Sequence, residues 1–416
     1  MSKIVVPFQF NKTLTVPASK SHLQRLIALS SICNQTSFIH NVHFCDDVNA
    51  ALSVAQQIGA SIKVNAKTLE ITGISKFPQN KSLIIDINES GLSARMFGII
   101  ASALFDEVVL TGKGSILKRN MSSLIDILSQ AGCEVHSQNN YLPLYVKGKA
   151  NYSNIQIKET DTSQIITGLL FAAPLSSKDV TIFVNHPISI PYIELSINTA
   201  KLFGIQIKHS KDYDHFHIKA PQQLQPINTI AEGDWSNAAF FIVAAVLSGK
   251  GRFLGLNFES PQADKSILKI LEQCNARVYI ENKNELIVEK SNELKPFNVN
   301  LTHCPDLFPP LVVLAAGING TSTLSGISRL INKESNRLNV LIKEFSRLGL
   351  EISTEKDTMI IKGNGKLSGG IFHSHNDHRI AMAGAIAATI SENPVVIENP
   401  EAISKSYPLF FEDLLD

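Results

Sequence analysis

The sequence predicts an α/β protein in which six similar units are shared between two domains. A short polar cluster that runs into a helix-like stretch of small and apolar residues recurs six times, at about 72 residues per step. Between these stretches, short β-rich runs alternate with Gly or Asn turns and with amphipathic helices. The chain has 416 residues, which is too long for one ordinary hydrophobic core.

The six polar clusters mark six predicted helix starts. They are Ser19-Lys20-Ser21, Glu89-Ser90-Gly91, Thr162-Ser163-Gln164, Asp234-Trp235-Ser236, Pro305-Asp306-Leu307 and Asp377-His378-Arg379. A helix N-terminus binds anions through its free N–H groups and the positive end of the macrodipole. Two of these clusters also carry Lys or Arg, so the pattern predicts a cleft for a multiply phosphorylated or carboxylated ligand.

The elements inside the repeats follow from apolar periodicity. The β-rich runs predict strands at 83–87, 108–110, 180–184 and 359–361. Apolar residues at helical spacing predict helices at 122–128, 193–198, 267–272 and 338–342. Gly204 and Gly349 follow two of these helices, where a glycine is typical of a helix stop. Each unit is therefore predicted to be roughly βαβαββ.

The two ends of the chain predict how the domains divide. Only about 40 residues follow the sixth cluster and about 18 precede the first, so the N-terminal strand is expected to complete the last unit. The domains are then 19–230, which is continuous, and 1–18 with 231–416, which is discontinuous. The two chain crossings, near Pro17 and Ile230, are expected to form a hinge.

Composition excludes several classes of protein. The chain is 44% hydrophobic and 18% charged with a formal net charge of +1, so no global basic field attracts nucleic acid. The five cysteines are scattered without a CxxC pair, which fits a reducing cytosol and not a disulfide framework or cysteine zinc site. No signal peptide is evident, and the apolar runs are too short to span a bilayer. A cytoplasmic protein without membrane or nucleic-acid partners is expected.

No nucleotide-binding fingerprint is present, because the chain lacks GxxxxGK[ST] and a helix-opening GxGxxG. In the first cluster, Lys20 and Arg25 place two cations near a helix start, where the dipole disfavours them unless an anion binds there. A solvated basic turn explains that segment alone equally well. His373, His375 and His378 lie close in sequence but show no clear ligand geometry, so no metal site is predicted.

Taken together, the clusters resemble the enolpyruvyl transferases, and among them the members that act on shikimate 3-phosphate. The resemblance covers essentially the whole chain in order. It rests on Ser19-Lys20-Ser21 with Arg25, Ser90-Gly91 with Arg95, Leu110-Thr111-Gly112 with Arg119, Ser163-Gln164, Pro191-Tyr192, Glu232-Gly233-Asp234, Pro305-Asp306, Lys333-Glu334-Ser335 with Arg337, Asn376-Asp377-His378-Arg379, and Lys405 before Pro408. It implies an inside-out α/β barrel fold, with three βαβαββ units in each domain, and a monomer.

The resemblance also implies a reaction and its residues. The enolpyruvyl group of phosphoenolpyruvate would pass to the 5-hydroxyl of shikimate 3-phosphate, with release of phosphate and without a metal or cofactor. Asp306 would take the hydroxyl proton, and Glu334 would protonate the methylene carbon. The residues for shikimate 3-phosphate would be Lys20, Ser21, Arg25, Thr162, Ser163, Gln164, Ser189, Tyr192, Asp306 and Lys333. The residues for phosphoenolpyruvate would be Lys20, Gly91, Arg119, Gln164, Arg337, Arg379 and Lys405.

Some positions depart from the family pattern. Glu89 stands where Asn is common, and Leu92 stands where Thr is common. A carboxylate beside a phosphoenolpyruvate site should repel that ligand unless the carboxylate pairs with a nearby arginine such as Arg95. Thr162 replaces a Ser but keeps the hydroxyl.

Two alternatives remain open at this point. The first is the sister enzyme that transfers enolpyruvate to UDP-N-acetylglucosamine, which usually has Lys-Asn at Lys20-Ser21 and a reactive cysteine in the loop at 113–119. The second is a non-catalytic protein that binds a phosphorylated ligand on the same scaffold. Such a protein would keep the cations but would have no reason to keep Asp306 and Glu334 together.

Overall fold

The computed structural model of the chain describes residues 2–74, 82–158, 162–282 and 285–416. The strands of these residues are β1 (Ser2–Val5), β2 (Asn11–Thr15), β3 (Thr36–His40), β4 (Ser61–Asn65), β5 (Thr68–Thr72), β6 (Ser82–Asp86), β7 (Glu107–Thr111), β8 (Glu134–Gln138), β9 (Tyr141–Lys147), β10 (Asn154–Ile157), β11 (Val180–Val184), β12 (Lys208–His209), β13 (His215–Ile218), β14 (Asn228–Ile230), β15 (Lys250–Leu254), β16 (Arg277–Glu281), β17 (Glu285–Glu289), β18 (Asn298–Asn300), β19 (Gly320–Ser325), β20 (Glu351–Glu355), β21 (Thr358–Gly363), β22 (Gly370–His373) and β23 (Val395–Glu398).

The helices of the same residues are α1 (Lys20–Ile32), α2 (Asp46–Ile58), α3 (Gly91–Leu104), α4 (Ser122–Gln130), α5 (Gln164–Ala172), α6 (Ile190–Leu202), α7 (Trp235–Ser248), α8 (Ile267–Gln273), α9 (Phe308–Ala316), α10 (Arg337–Arg347), α11 (His378–Ala387) and α12 (Phe410–Leu415). Every predicted helix start and strand coincides with one of these elements. The two predicted helix stops are also confirmed, because Gly204 and Gly349 adopt φ angles of 78° and 87° just after α6 and α10.

Among the described residues, five of the six small sheets share one four-stranded topology, and the sixth, β1-β23-β22, has three strands. In the sheet β6-β7-β9-β8, the first two strands are parallel and the other two pairings are antiparallel. Helix α3 crosses between the parallel strands, and α4 precedes the final hairpin. The sheets β10-β11-β13-β12 and β18-β19-β21-β20 have the same order. The predicted βαβαββ unit is therefore confirmed.

The other three sheets explain why the chain ends and crossings fall where they do. Strand β2 is the parallel neighbour of β15, and β14 is the parallel neighbour of β3. Each of these two strands is the last one before the chain crosses from one domain to the other. Each pairs with a strand of the domain that the chain is leaving. Strand β1 pairs antiparallel with β23, with Ser2 opposite Glu398 and Val5 opposite Val395. The N-terminal strand thus completes the last sheet, as predicted.

The chain forms two compact units. The continuous unit is Lys20–Ala231, and the discontinuous unit is Met1–Ser19 with Glu232–Asp416. These bounds lie one residue from the predicted domain limits at each crossing. None of the helices that the structure describes is long and apolar enough to cross a membrane.

Each unit has its central helices inside and its sheets outside. In the continuous unit α3 packs against α1 and α5, and in the discontinuous unit α7, α9 and α11 pack against one another. All residues of α3, α7, α9 and α11 are buried. A helix that is apolar nearly all round must be surrounded by protein, which places the small, apolar stretches of the sequence at the centre of each unit.

Candidate active site

The predicted site residues gather where the central helices of each unit begin. In the continuous unit, Gln24 of α1 donates from Nε2 to Oγ of Ser90, the cap of α3, over 2.9 Å. Arg95 of α3 donates from Nη1 to Oε1 of Gln164, the first residue of α5, over 3.1 Å. We call the predicted residues near these helix starts the continuous-unit cluster: Lys20, Ser21, Arg25, Gly91, Arg119, Thr162, Ser163, Gln164, Ser189 and Tyr192. The discontinuous-unit cluster is Asp306, Lys333, Glu334, Arg337, Arg379 and Lys405.

Arg337 is the centre of the discontinuous-unit cluster. Arg337 is the first residue of α10, and its side chain is 1% exposed. The guanidinium donates from Nη1 to Asp306 over 2.9 Å and from Nη2 to Glu334 over 2.8 Å. It also donates from Nε and Nη2 to the two oxygens of Asp377, over 3.0 and 3.1 Å. One buried cation therefore holds three carboxylates together, including both predicted proton-transfer residues.

Asp306 is surrounded by cations. It lies in a 3₁₀ turn, Pro305–Leu307, just before α9. Besides Arg337, Nη2 of Arg379 lies 3.0 Å and Nζ of Lys333 lies 3.8 Å from its carboxylate oxygens. Burial alone would raise the pKa of Asp306, but these three cations, with Arg379 the strongest, hold it well below its usual value. Asp306 is therefore ionised and is a very weak base in this arrangement.

Asp377 links the helix start of α11 to Arg337. Its Oδ1 accepts a hydrogen bond from the N–H of Arg379 over 3.0 Å, which caps the helix. Its Oδ2 accepts from the Ser335 hydroxyl over 3.1 Å as well as from Arg337. The resemblance assigned Asp377 no role, although its place in the sixth polar cluster is the signal of a helix cap. This residue fixes two of the predicted cations relative to each other.

The histidines before α11 hold a loop in place. His375 Nε2 lies 2.8 Å from Oε1 of the buried Glu344, whose Oε2 accepts from the N–H of His373 over 3.1 Å. His375 and Asn376 adopt positive φ angles of 52° and 56°. Among the described residues, no group of three or more His, Cys, Asp and Glu side chains is arranged to hold a metal ion.

Lys405 lies on a segment that packs beside Arg379. It ends a 3₁₀ turn, Pro400–Lys405, that contacts α11, the helix whose second residue is Arg379. Both side chains are at least nine-tenths buried, Lys405 with 8% and Arg379 with 5% exposure. Two long cations that are withdrawn from water in this way suit a ligand that carries more than one negative charge.

Asp264 is a buried carboxyl that the sequence did not single out. Its Oδ2 accepts a hydrogen bond from the hydroxyl of Ser236, in the first turn of α7, and its Oδ1 has no hydrogen-bond partner among the described residues. Burial and then the negative charge of Asp306 raise the pKa of Asp264 to about 7, against the effect of Arg379. No spacing rule connects positions 236 and 264, so only the fold reveals this pair.

We expect the folding stability of the protein to report on Asp264. A carboxyl whose pKa is raised on folding contributes stability that is complete below its ordinary pKa of 3.8 and is lost as pH rises through about 7. Asp306, with a lowered pKa, acts in the opposite direction and only on the acid side of 3.8. Each pKa unit is worth about 1.4 kcal/mol. Between about pH 5 and pH 8, Asp264→Asn should therefore lose about 3 kcal/mol less unfolding free energy than the wild type.

Denaturant unfolding of the two proteins at both pH values checks this expectation. For each protein, the change in unfolding free energy between the two pH values is measured, and the change in the variant is subtracted from that in the wild type. The subtraction cancels the titration of other groups. Parallel stability curves would show that Asp264 carries no raised pKa.

Arg25 organises the continuous-unit cluster. Its side chain is buried, and burial lowers its pKa to about 10. Nε donates to Ser196 Oγ over 2.9 Å, and Nη1 donates to the Ser21 carbonyl over 2.8 Å. Nη2 donates to Thr167 Oγ1 and to the Tyr192 carbonyl, each over 3.3 Å. Arg25 therefore joins α1, α5 and α6 and brings the predicted Ser21 and Tyr192 to one place.

Thr167 and Ser196 were missed by the sequence reasoning, although a signal existed. They lie four residues after the predicted Ser163 and Tyr192, on the same face of their helices. Thr167 Oγ1 is 3.3 Å from the Ser163 carbonyl and 2.8 Å from Ser196 Oγ. These hydroxyls therefore lie between Arg25 and the backbone of the predicted Ser163 and Tyr192.

Other predicted residues are held at the starts of their helices. Thr162 Oγ1 accepts a hydrogen bond from the N–H of Gln164 over 3.3 Å at the start of α5. Ser189, which precedes α6, adopts a left-handed φ of 52°. Lys20 forms a 2.9 Å ion pair with Asp47, a partner that no motif indicated.

Two guanidinium groups lie near Gly91, the first residue of α3. A methyl group added at Gly91 would lie 2.6 Å from Nη1 of Arg119, 3.5 Å from Nη1 of Arg95 and 3.7 Å from Oε1 of Gln164. The glycine thus leaves the helix N-terminus open beside both cations. This arrangement is suited to an anion such as a phosphate or carboxylate. Arg95 belongs to one of the motifs that carry the resemblance, but the resemblance implies no ligand contact for it.

Both clusters have the chemistry expected for an anionic substrate. Planar guanidinium groups pair with phosphate and carboxylate oxygens, and buried helix starts add positive potential. The discontinuous-unit cluster adds two carboxylates on one arginine, which is the minimum set for one proton acceptor and one proton donor.

Comparisons with known proteins agree on one family. A family model described as EPSP synthase (3-phosphoshikimate 1-carboxyvinyltransferase) matches residues 6–414. The 3-phosphoshikimate 1-carboxyvinyltransferase of Clostridium perfringens is 35% identical over 415 residues, which cover 99% of this chain and 97% of that protein. The enzyme of the same name from Clostridium novyi is 34% identical over 419 residues, with 98% and 95% covered. An EPSP synthase structure from Acinetobacter baumannii has a TM-score of 0.82 at 24% identity, covering 99% of this chain and 96% of that chain, and so has the same fold.

Proposed function

The chain belongs to the EPSP synthase family, and we propose that residues of both clusters bind the substrates while Asp306 and Glu334 transfer the protons of the reaction. The enzyme transfers the enolpyruvyl group of phosphoenolpyruvate to shikimate 3-phosphate and releases phosphate, a step of the shikimate pathway. The fold is the two-domain, inside-out α/β architecture of that family.

The observation that carries the assignment is the joint contact of Asp306 and Glu334 with Arg337. The two carboxylates share one buried guanidinium, at 2.9 and 2.8 Å. Arg379 and Lys333 add two further cations on Asp306. A protein that only bound phosphates would gain nothing from two carboxylates among its cations, since they oppose anion binding. This contact favours catalysis over the binding-protein alternative.

The reaction proceeds by addition and elimination. In the addition, the 5-hydroxyl oxygen bonds to C2 of phosphoenolpyruvate, Asp306 takes the hydroxyl proton, and Glu334 gives a proton to C3. The product of this step is a tetrahedral intermediate with a methyl group. In the elimination, the C2–O bond to phosphate breaks and the leaving phosphate takes the proton from Asp306. C3 returns a proton to Glu334, and the enol ether remains on the acceptor. Each positioned acid or base contributes on the order of 10²–10⁴-fold.

Asp306 becomes a useful base only when its cations are shared with the substrate. In the structure Arg337 and Arg379 contact the Asp306 carboxylate and keep its pKa low. The phosphate and carboxylate of phosphoenolpyruvate compete for the same guanidinium donors, since Arg pairs with both in a planar geometry. Substrate binding therefore raises the pKa of Asp306 at the moment when a proton acceptor is needed.

The remaining assignments follow the resemblance to the family. In the continuous-unit cluster, Ser21, Arg25, Thr162, Ser163, Ser189 and Tyr192 hold shikimate 3-phosphate, the Gly91 backbone and Arg119 hold phosphoenolpyruvate, and Lys20 and Gln164 contact both ligands. In the discontinuous-unit cluster, Arg337, Arg379 and Lys405 hold phosphoenolpyruvate, and Asp306 and Lys333 contact shikimate 3-phosphate. The support is the burial of Arg25, Arg337, Arg379 and Lys405 and the open helix start at Gly91.

We further propose that the enzyme acts as a monomer in the cytoplasm. All five cysteines are buried thiols, which suits a reducing compartment. Size-exclusion chromatography with light scattering tests the monomer, for which a mass of 45.5 kDa is expected.

Phosphate release from phosphoenolpyruvate tests the proposed acceptor. Initial rates are compared with shikimate 3-phosphate, with UDP-N-acetylglucosamine and without an acceptor. Release is expected only with shikimate 3-phosphate. Release with the nucleotide sugar alone would support the sister activity, and ligand binding without release in any mixture would support the binding protein.

Gly91→Ala is expected to weaken phosphoenolpyruvate selectively. The new methyl group would lie 2.6 Å from Nη1 of Arg119, so the guanidinium must move from its position beside the helix start. We expect KM for phosphoenolpyruvate to rise by about tenfold, or about 1.4 kcal/mol. KM for shikimate 3-phosphate should change by less than about twofold, because the group that must move, the Arg119 guanidinium, is proposed to hold phosphoenolpyruvate only.

Gly98→Ala, in the same helix, is the matched control. The atoms nearest to its added methyl group would belong to the side chains of Leu124 and Leu110, at 3.4 Å and beyond. Initial-rate kinetics of both variants give KM for each substrate. Equal increases in the two KM values of Gly91→Ala would remove Gly91 from the proposed site.

A further inference from the structure

Glu89 connects two loops of the continuous unit. It lies between β6 and α3, and its Oε2 accepts hydrogen bonds from the N–H and the hydroxyl of Ser115, over 3.0 and 2.7 Å. Ser115 belongs to a 3₁₀ turn, Gly114–Lys118, that follows β7. A single carboxylate oxygen thus accepts both hydrogen bonds at the start of this turn.

The backbone around this contact is built to fit the carboxylate. Gly114 has a φ of +61°, and a methyl group there would overlap the Glu89 carboxylate. The N–H of Lys113 donates to the Asn88 carbonyl over 2.9 Å, next to Glu89 in the chain. A methyl group on Gly112 would lie 2.7 Å from that same carbonyl. The glycines on both sides of Lys113 therefore allow the turn to lie directly against the Asn88–Glu89 backbone and side chain.

The turn that Glu89 holds ends at Arg119. The N–H of Arg119 donates to the Ile116 carbonyl over 3.1 Å, which fixes the residue to the end of the turn. Nη1 of Arg119 then lies 2.6 Å from the position of a methyl group at Gly91. Gly91 is only two residues from Glu89. The start of the turn therefore contacts Glu89, and Arg119 at its end places its guanidinium beside the same helix start.

We propose that Glu89 is a positioning residue that sets Arg119 for phosphoenolpyruvate by anchoring the turn at 114–118. The inference rests on the proposed function, since it concerns the affinity of that substrate. Glu89 also places a negative charge near a site for an anion, which by itself opposes binding. The positioning effect exceeds this repulsion, because two charge-assisted hydrogen bonds are involved.

Two substitutions separate the positioning effect from the charge. Glu89→Gln keeps a carbonyl oxygen that accepts from Ser115 and removes the negative charge. Glu89→Ala removes both the acceptor and the charge. Glu107→Ala, at the exposed start of β7, is the control for loss of a carboxylate in the same sheet.

The experiment measures kcat and both KM values for these variants alongside the wild type. For Glu89→Ala we expect KM for phosphoenolpyruvate to rise by about tenfold, with less than about a twofold change for shikimate 3-phosphate. Glu89→Gln should stay within about threefold of the wild type or bind phosphoenolpyruvate more tightly. Glu107→Ala should match the wild type. Unchanged KM values in Glu89→Ala, or equal effects in the Gln and Ala variants, would overturn the proposal.

A double-mutant cycle shows whether Glu89 acts through Arg119. In an Arg119→Ala background, Glu89→Ala should no longer raise KM for phosphoenolpyruvate, because the group that it positions is gone. A full additional tenfold increase in that background would mean that Glu89 acts independently, and would overturn the proposal. Absence of wild-type turnover would instead refute the proposed function, and this inference with it.

Discussion

Asp306→Asn is expected to lower kcat by at least about 10²-fold while leaving phosphoenolpyruvate binding intact. The amide cannot accept the hydroxyl proton at a useful rate. It also removes the negative charge that Arg337 and Arg379 contact at 2.9 and 3.0 Å. These cations then attract the anionic substrate more strongly, so KM for phosphoenolpyruvate should stay the same or fall. Steady-state phosphate release measures both parameters.

The combination of lower kcat and unchanged or lower KM distinguishes this role from simple damage to the site. Glu289→Gln is a suitable control, because it removes a carboxylate of the same unit that pairs with Lys250 over 2.8 Å at the surface. Surface ion pairs contribute little, so this variant should behave as the wild type. Wild-type kcat in Asp306→Asn would remove Asp306 from the mechanism.

Glu334→Gln should also lower kcat by at least about 10²-fold, because C3 then lacks its proton donor and acceptor. The Glu334 side chain is 13% exposed, and its Oε2 accepts a hydrogen bond from Nη2 of Arg337 over 2.8 Å. The amide oxygen can keep this contact, so substrate binding should change little. Loss of turnover would therefore reflect loss of proton transfer.

Hydrogen exchange at C3 separates Glu334 from Asp306. Protonation of C3 makes a methyl group, and its return to the alkene in deuterated water leaves deuterium in the product. In Glu334→Gln the incorporation of deuterium should slow in parallel with turnover, as seen by proton NMR of the enol ether. Normal incorporation at reduced turnover would assign the C3 proton to another residue.

The sequence predicted the repeat architecture well because each repeat carries its own local signals. Polar caps such as Ser90 and Asp377 stand directly before apolar helices, and both accept the N–H hydrogen bonds expected of caps. The shortage of residues after the sixth cluster likewise predicted that the N-terminal strand completes the last unit, and β1 does pair with β23. These features depend on a few neighbouring residues or on counting, and both are available without a structure.

The network of charges was not predictable in the same way. The Lys20 pair with Asp47 and the Asp264 pair with Ser236 join elements with no common motif. The role of Arg337 as the shared partner of three carboxylates depends on the packing of α9, α10 and α11 starts, which the sequence does not specify. Motifs thus identified most of the cations, whereas their partners required the fold.

The most direct measurement of the central claim is a carbon NMR time course of the wild-type enzyme with phosphoenolpyruvate labelled at C3 and with shikimate 3-phosphate. We expect the labelled alkene signal to move to an enol ether on the 5-oxygen of the acceptor, in step with an equal amount of released phosphate. Phosphate release without the enol ether, or attachment of the label to a different oxygen, would contradict the account.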